Sequence, residues 1–299
     1  MHGLLSAATV LPVAERAQFV RMAKEAALMQ VLAFAVWNRS EILFLEWFST
    51  KEQIAFFSLA FGFSTRVALL PIAASRTLAP AILRSHGVDP RTAVRITARS
   101  VRLQSLFAYP LFGALVICAA PLVGVMYGPI YHPAIVPVMI LAAASAIPSG
   151  RSAFESLLRA ADHQRAMVKV YLAMTVLTLV ADWLLIRAYG AIGAAIANGS
   201  IIMLQGAVLF ALVRRLTSLR WADLRLGRLI AIAIAATGIT WLATTWCPPV
   251  LALILRPLLV IGLFAGGLLL AGGIDADERR RLAGMPGEFR RALARRTGR

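Results

Sequence analysis

Charged side chains inside otherwise apolar stretches are the residues of this sequence best suited to chemistry. Arg39 and Glu41 lie in the first such stretch, Arg66 lies in the second, and Asp182 lies in a later one. A charge in the hydrocarbon of a membrane is costly, so such residues usually face a bundle interior or a wet cavity. These four residues are therefore the predicted substrate-binding residues.

The two arginines are expected at similar depths in the membrane. At 1.5 Å per residue, Arg39 lies about 18 Å from the inner end of its helix, and Arg66 lies about 18 Å from the outer end of the next helix. Arginine offers a planar fork of donors and stays protonated, so two guanidinium groups at one depth suit a diphosphate. The alternative is structural: Glu41, Glu46 or Asp182 neutralises these arginines and fixes the register of the helices.

Helix geometry limits which of these groups share a cavity. Successive residues of a helix are 100° apart, which places Arg39 and Glu46 on one face and Glu41 on nearly the opposite face. Arg39 and Glu41 therefore cannot line the same cavity on a straight helix.

A second charged group occurs at helical spacing in the fourth apolar stretch. Arg151, Glu155 and Arg159 are four residues apart, so Glu155 is able to pair with either arginine. This spacing favours a cytoplasmic gate or a self-neutralised structural face over a substrate ligand.

Catalysis and metal binding find little support in the residue pattern. The sequence contains no Ser/His/Asp grouping, Gly-rich phosphate loop or paired Cys motif in a loop of useful size. The two cysteines, Cys118 and Cys247, lie in different stretches at different depths, which favours neither a disulfide nor a metal site. We expect no enzymatic activity, no cofactor and no metal.

The elements that position these residues are membrane spans. Of the 299 residues, 60% are hydrophobic, and a stretch of about 20 apolar residues crosses a bilayer. The sequence therefore predicts an all-α, polytopic transmembrane bundle with about eight spans. The predicted spans cover residues 27–48, 54–80, 103–126, 132–157, 167–188, 191–213, 228–246 and 250–272.

The distribution of positive charge predicts the orientation of the bundle. Of the 31 Lys and Arg residues, 24 lie before the first span, in or near every second gap, or in the tail. Only 3 lie in or near the remaining gaps, and 4 lie inside spans. Lys and Arg in short loops stay in the cytoplasm during insertion, so both termini are expected there. The net charge of +17 is expected to meet anionic membrane lipids rather than nucleic acid.

The predicted organisation has four parts. Residues 1–26 form a cytoplasmic lead segment, and residues 27–213 form a six-helix transmembrane lobe. Residues 214–272 comprise a charged linker and two peripheral transmembrane helices. Residues 273–299 form a basic cytoplasmic tail, whose eight arginines suit the membrane surface.

Several segments resemble polysaccharide flippases of the multidrug/oligosaccharidyl-lipid/polysaccharide exporter superfamily. The resemblance extends over roughly residues 20–215 and is distributed rather than concentrated in one motif. The segments that carry it are WNRSEILFL at 37–45, AFFSLAFG at 55–62, LLP at 69–71, LRAADHQR at 158–165 and YGAIGAAIA at 189–197.

The resemblance implies a function and an incomplete architecture. Such flippases have two six-helix lobes, often followed by two extra helices, around a central cationic cavity, and this chain resembles the second lobe with the extra pair. Translocation of a polyprenyl-diphosphate-linked oligosaccharide for surface polysaccharide or lipopolysaccharide synthesis is implied. Arg39 and Arg66 would hold the diphosphate, while Glu41 and Asp182 would tune the cavity or sense an ion.

Two other functions stay open at this point. One is half of a drug or cation antiporter, for which a net acidic cavity is expected. The other is a non-transporting membrane assembly subunit, which needs no cavity. The resemblance also leaves open whether a separate N-terminal six-helix lobe completes the transporter or the chain is a fragment of a longer one.

Overall fold

The computed structural model describes residues 40–270 except residues 148, 149 and 218, together with Val20 and Ala27. This part of the chain is a polytopic helical bundle without strands, as the sequence predicts. The helices are α1 Ser40–Phe48, α2 Lys51–His86, α3 Pro90–Tyr127, α4 Ile135–Ala146, α5 Arg151–Ala160, α6 Gln164–Leu216, α7 Trp221–Leu224, α8 Leu226–Ala243 and α9 Pro249–Leu270.

Six stretches of the described residues are long and apolar enough to cross a membrane. They agree with the predicted spans from the second onward, with one long stretch in place of the fifth and sixth. The first predicted span, 27–48, is described only at Ala27 and over α1. The six stretches are Lys51–His86, Pro90–Tyr127, Pro129–Ala160, Gln164–Leu216, Leu226–Ala243 and Pro249–Leu270.

Helix α6, with 53 residues, is a hairpin of two spans rather than one rod. Neighbouring residues of α1 contact both of its halves: Ser40 bonds Asp182, and Glu41 bonds Asn198. Sixteen residues of straight helix would separate those two partners by about 24 Å. The chain must therefore reverse between them, and we name the arms α6a (residues 164–189) and α6b (residues 191–216).

The reversal is at Gly190, between the predicted spans 167–188 and 191–213. Gly190 has φ 56° and ψ −128°, a conformation that is essentially restricted to glycine. The Gln53 side chain accepts a hydrogen bond of 2.9 Å from the Ala191 N–H, and a Cβ at Gly190 would lie 2.9 Å from the same Gln53 oxygen. Backbone conformation and space both require glycine here.

The bundle has two main apolar clusters with polar residues between them. One cluster lies near the Gly190 corner and includes Leu45, Phe57 and Ile186. The other lies toward the opposite end and includes Leu157 and Leu209. Because lipid is as apolar as these side chains, close packing holds them together more than transfer from water does. Along α2, α6a and α6b, polar residues lie between the residues that belong to the two clusters. These polar residues therefore form a layer in the middle of the bundle.

Helices α8 and α9, the predicted peripheral pair, pack mainly on α3 and on each other. At the crossing of α3 and α8, Gly113 allows close approach, since a Cβ there would lie 2.4 Å from the Thr237 hydroxyl oxygen. Apolar side chains of α8 and α9 join the cluster far from Gly190, among them Leu229 and Phe264.

Arg256 attaches α9 to both of its neighbours. Its Nε donates to Thr244 Oγ1 at 3.0 Å and its Nη2 to the Thr244 carbonyl at 3.2 Å, at the end of α8. Its Nη1 donates to the Ile117 carbonyl of α3. Pro121, four residues later, has no N–H to bond that carbonyl within the helix. Arg256 therefore supplies the donor that Pro121 lacks.

We expect Arg256→Ala to destabilise the chain by about 1.5–3 kcal/mol. The substitution removes charged hydrogen-bond donors from two backbone carbonyls, and water is not expected to replace them. Arg256→Lys is expected to recover only part, because an ammonium lacks the planar fork. The thermal midpoint in detergent measures the loss, and Arg187→Ala, an exposed arginine of α6a, is the matched control.

A double-mutant cycle tests the role of Pro121 in the same assay. Pro121→Ala restores a backbone N–H for the Ile117 carbonyl, so the cost of Arg256→Ala is expected to shrink in that background. An equal cost in both backgrounds would show that Arg256 does not act through this carbonyl.

Candidate functional site

The polar layer in the middle of the bundle surrounds a cavity of about 330 Å³. Residues from α1 to α6 line it, so both arms of the hairpin contribute to its wall. Its polar lining comprises Glu41, Ser64, Thr65, Gln104, Ser145, Arg151, Ser152, Thr178 and Asn198.

The part of the site nearer the Gly190 corner is acidic. Ser40 Oγ donates to Asp182 Oδ2 at 2.9 Å, and the Asn198 side chain donates to Glu41 Oε1. Asp182 is fully buried, and its Oδ1 has no hydrogen-bond partner in the described part of the chain. Asp182 and Asn198 each lie eight residues from Gly190. Asp182, and Glu41 beside Asn198, are therefore about 12 Å from the corner.

The sequence also allows a structural role for Arg66, in which Glu41, Glu46 or Asp182 neutralises it. Glu41 and Asp182 are buried between α1 and the hairpin, and Glu46 is exposed on α1. Within the described ranges, none of these three carboxylates pairs with Arg66. Arg39 lies outside the described residues, so neither its partners nor its position in a cavity is part of this geometry.

The part of the site farther from the corner is basic. Arg151 lines the cavity, and its Nη1 donates to Gln205 Oε1 of α6b at 2.8 Å. Glu155 lies 3.4 Å from Arg151 Nε and 3.6 Å from Arg159 Nη2, so it contacts both arginines rather than one. Tyr171 Oη of α6a donates to Glu155 at 2.7 Å. This network fixes the start of α5 against both arms of the hairpin.

A chain of hydroxyl and amide groups connects α2, α5 and α3 beside the cavity. Ser75 and Ser152 share a hydrogen bond of 2.7 Å, and Ser152 donates to Gln104 Oε1 at 2.9 Å. Two polar atoms of the lining, Ser64 Oγ and Asn198 Oδ1, are buried without a partner among the described residues. The lining therefore retains capacity to bind a polar or charged group.

Arg66 does not line this cavity. Its neighbour Thr65 does, and successive residues of a helix point about 100° apart, so Arg66 projects from another face of α2. That face is exposed. Arg76, ten residues or about 15 Å farther along the helix, is also exposed, but it lies about 80° from Arg66 around the helix and only about 20° from Thr65. In the described part of the chain, neither arginine has a hydrogen bond or an ion pair.

The depth of Arg66 in the membrane stays a prediction from sequence, and its place along α2 is what the structure shows. Arg66 lies fifteen residues after the start of α2, or about 22 Å, near the middle of a 36-residue helix. Gln205, the partner of Arg151, lies fifteen residues from Gly190 and so at a comparable depth. Arg66 and Arg151 are thus basic groups of one layer, on different faces of the bundle.

Sequence reasoning did not select Gln104, Ser152, Asn198 or Gln205 as site residues, and it left Arg76 without a role. Each is a polar residue inside an apolar stretch, which is the signal that could have found it. The pairing of Asn198 with Glu41 and of Gln205 with Arg151 depends on the hairpin, which spacing alone does not reveal.

The helical bundle shares its fold with a solved membrane protein structure. The chain is similar to a solved structure of the lipid II flippase MurJ in an inward closed conformation, with a TM-score of 0.64 and 13% sequence identity. The match covers 83% of this chain and 52% of that one, so the chain spans about half the length of MurJ. Neither a family model nor a curated protein matches the sequence.

The contact between α1 and α6a generates a prediction about stability. We expect Ser40→Ala to cost about 1–3 kcal/mol, because it leaves a fully buried carboxylate without the hydrogen bond from Ser40. The thermal midpoint of the purified chain measures this, and Ser58→Ala, at an exposed serine of α2, is the control. Equal midpoints for the two variants would contradict the role of the Ser40–Asp182 hydrogen bond.

Proposed function

We propose that this chain is one lobe of a flippase that moves a diphosphate-linked lipid across the bacterial inner membrane. The observation that carries the proposal is Arg66: a guanidinium near the middle of a membrane helix, exposed and without an ion pair in the described part of the chain. Such a charge is costly in lipid, so its face of α2 is expected to border a wet cavity or a second protein surface.

A second six-helix lobe fits that face. The chain spans about half the length of the MurJ structure to which it is similar, and the arginine-bearing face of α2 has no cover within the described residues. We propose that a separate N-terminal lobe, or an N-terminal continuation of this chain, faces α2 and closes the cavity. Arg39 and Arg66 then border the space between two lobes rather than the cavity inside one.

The substrate we propose is a polyprenyl-diphosphate-linked oligosaccharide used for surface polysaccharide synthesis. Arginine binds phosphate through two parallel hydrogen bonds and keeps its charge in a membrane cavity, so Arg66 suits the diphosphate, and Arg39 is its proposed partner. Both termini are proposed to be cytoplasmic, with anionic lipids at the basic loops.

Glu41 and Asp182 are proposed to tune the cavity or to sense an ion. They lie side by side between α1 and the hairpin, with no cationic partner among the described residues. Arg151, Glu155 and Arg159 are proposed as a gate or structural network, because they connect α5 to both arms of α6. An antiporter half is the second candidate, favoured by Glu41, whose carboxylate lines the cavity.

Binding of polyprenyl diphosphate to the purified chain in lipid nanodiscs tests the proposal. We expect Arg66→Ala to weaken binding at least tenfold, and Arg66→Lys to weaken it less, because an ammonium lacks the bidentate fork. Arg84→Ala is the matched control, since Arg84 is an exposed arginine near the end of the same helix. The polyprenyl monophosphate is expected to bind more weakly than the diphosphate. Unchanged binding by Arg66→Ala would exclude the proposed diphosphate site.

The antiporter alternative predicts a different response. If the acidic pair binds a transported cation, sodium or an organic cation is expected to raise the thermal midpoint of the wild-type chain. Glu41→Gln is expected to abolish that rise while keeping the hydrogen bond from Asn198, because the glutamine oxygen still accepts. A cation-dependent midpoint together with diphosphate binding unaffected by Arg66→Ala would favour the antiporter over the flippase.

A further inference from the structure

Gly62 interrupts the row of side chains on the side of α2 that carries Arg66. It lies four residues before Arg66, about one turn nearer the start of the helix. A Cβ at Gly62 would have one side-chain atom of the described residues within 4 Å, the Nη1 of Arg66 at 4.0 Å. The guanidinium therefore lies back along α2 beside Gly62. We name the space that a side chain at this position would fill the Gly62 gap.

Packing between helices does not account for Gly62. At Gly113, Gly199 and Gly267, a Cβ would lie 2.4, 2.8 and 2.7 Å from a side chain of another helix, so these glycines allow close approach of two helices. Gly62 has no such neighbour among the described residues, although glycine is unfavourable within a helix. The feature that distinguishes Gly62 is its contact with Arg66.

Helix geometry determines which donors border the gap. Cα–Cβ bonds tilt toward the start of a helix, so a long side chain covers the turn before its own Cα. Arg66 therefore reaches the level of Gly62, and its guanidinium borders the gap. We propose that Gly62 is a positioning residue of the diphosphate site, because its gap lets a diphosphate lie against α2 beside these donors. This inference rests on the proposed function, which takes Arg66 as the diphosphate ligand.

Ser58 borders the gap on the side nearer the start of α2. It is exposed and lies four residues before Gly62, or about 6 Å along the helix axis. Its hydroxyl has no hydrogen bond within the described residues, whereas Thr65 Oγ1 donates to the Phe61 carbonyl at 2.8 Å, as hydroxyls in helices commonly do. Ser58 is therefore available as a second donor to a phosphate oxygen. Residues 53–66 contain no carboxylate that would compete for these donors.

The test fills the gap and measures binding of polyprenyl diphosphate to the purified chain in lipid nanodiscs. Gly62→Leu places a side chain over the turn toward Ser58, where the diphosphate would lie, so we expect an affinity at least about tenfold weaker. Gly62→Ala is expected to retain most of the affinity, because its Cβ would be at ordinary contact distance from Arg66, 4.0 Å. Gly262→Leu is the matched control, at an exposed glycine of α9 where a Cβ would meet nothing within 4 Å.

A double-mutant cycle with Arg66→Ala tests whether Gly62 acts through the guanidinium. In the Arg66→Ala background, we expect Gly62→Leu to weaken binding little further, because the diphosphate is no longer held beside the gap. An equal loss in both backgrounds would overturn the proposal. The thermal midpoint of Gly62→Leu is expected to be unchanged or higher, since leucine favours a helix more than glycine does. A midpoint below that of Gly262→Leu would assign the loss to packing and would also overturn the proposal.

The role of Gly62 and the diphosphate site fail in different ways in this assay. Weaker binding by Arg66→Ala together with wild-type binding by Gly62→Leu would overturn the role of Gly62 and leave the diphosphate site in place. Wild-type binding by Arg66→Ala would exclude the diphosphate site itself, and the role of Gly62 with it.

Discussion

The reversal of the chain at Gly190 determines which polar groups meet inside the bundle. It places Asp182 beside Asn198 and Tyr171 near Gln205, although each pair is far apart along the sequence. One turn of α1 then bonds both arms at one depth, and one turn of α5 bonds both arms at another. A side chain at position 190 would clash with Gln53 and strain the backbone, so this arrangement depends on a single glycine.

Placement of charge distinguishes the inside of the lobe from its exposed face. Inside, every described charge of the polar layer has a local role: Arg151 and Glu155 form a network, and Glu41 and Asp182 are held by neutral donors. Arg66 and Arg76, which are exposed on α2, have no such neighbours among the described residues. A membrane protein tolerates buried charge when partners satisfy it, and leaves it without partners where water, a ligand or another surface arrives. This contrast supports the proposal that Arg66 contacts the substrate.

Hydropathy and charge counts could predict the spans, because each span must satisfy its backbone internally and be about 20 residues long. The break between the spans 167–188 and 191–213 and the two ion pairs of Glu155 could also be predicted, since they are local in sequence. The face that Arg66 presents and the partners of Asn198 and Gln205 could not. They depend on how each helix is rotated against its neighbours. A single polar residue in an apolar stretch does not determine that rotation. Arg39 stays a prediction from sequence.

Helix α8 is attached to α3 at two levels, and this constrains how the lobe can move. At its end, Arg256 joins Thr244 to the α3 carbonyl that Pro121 leaves without a donor. Nearer its middle, Gly113 lets α8 approach α3 closely. Helices attached at two levels move as one body, so rearrangement within the lobe is expected elsewhere. Arg151 of α5 bonds Gln205 of α6b, and a movement of α5 against the hairpin would have to break this contact or carry it along.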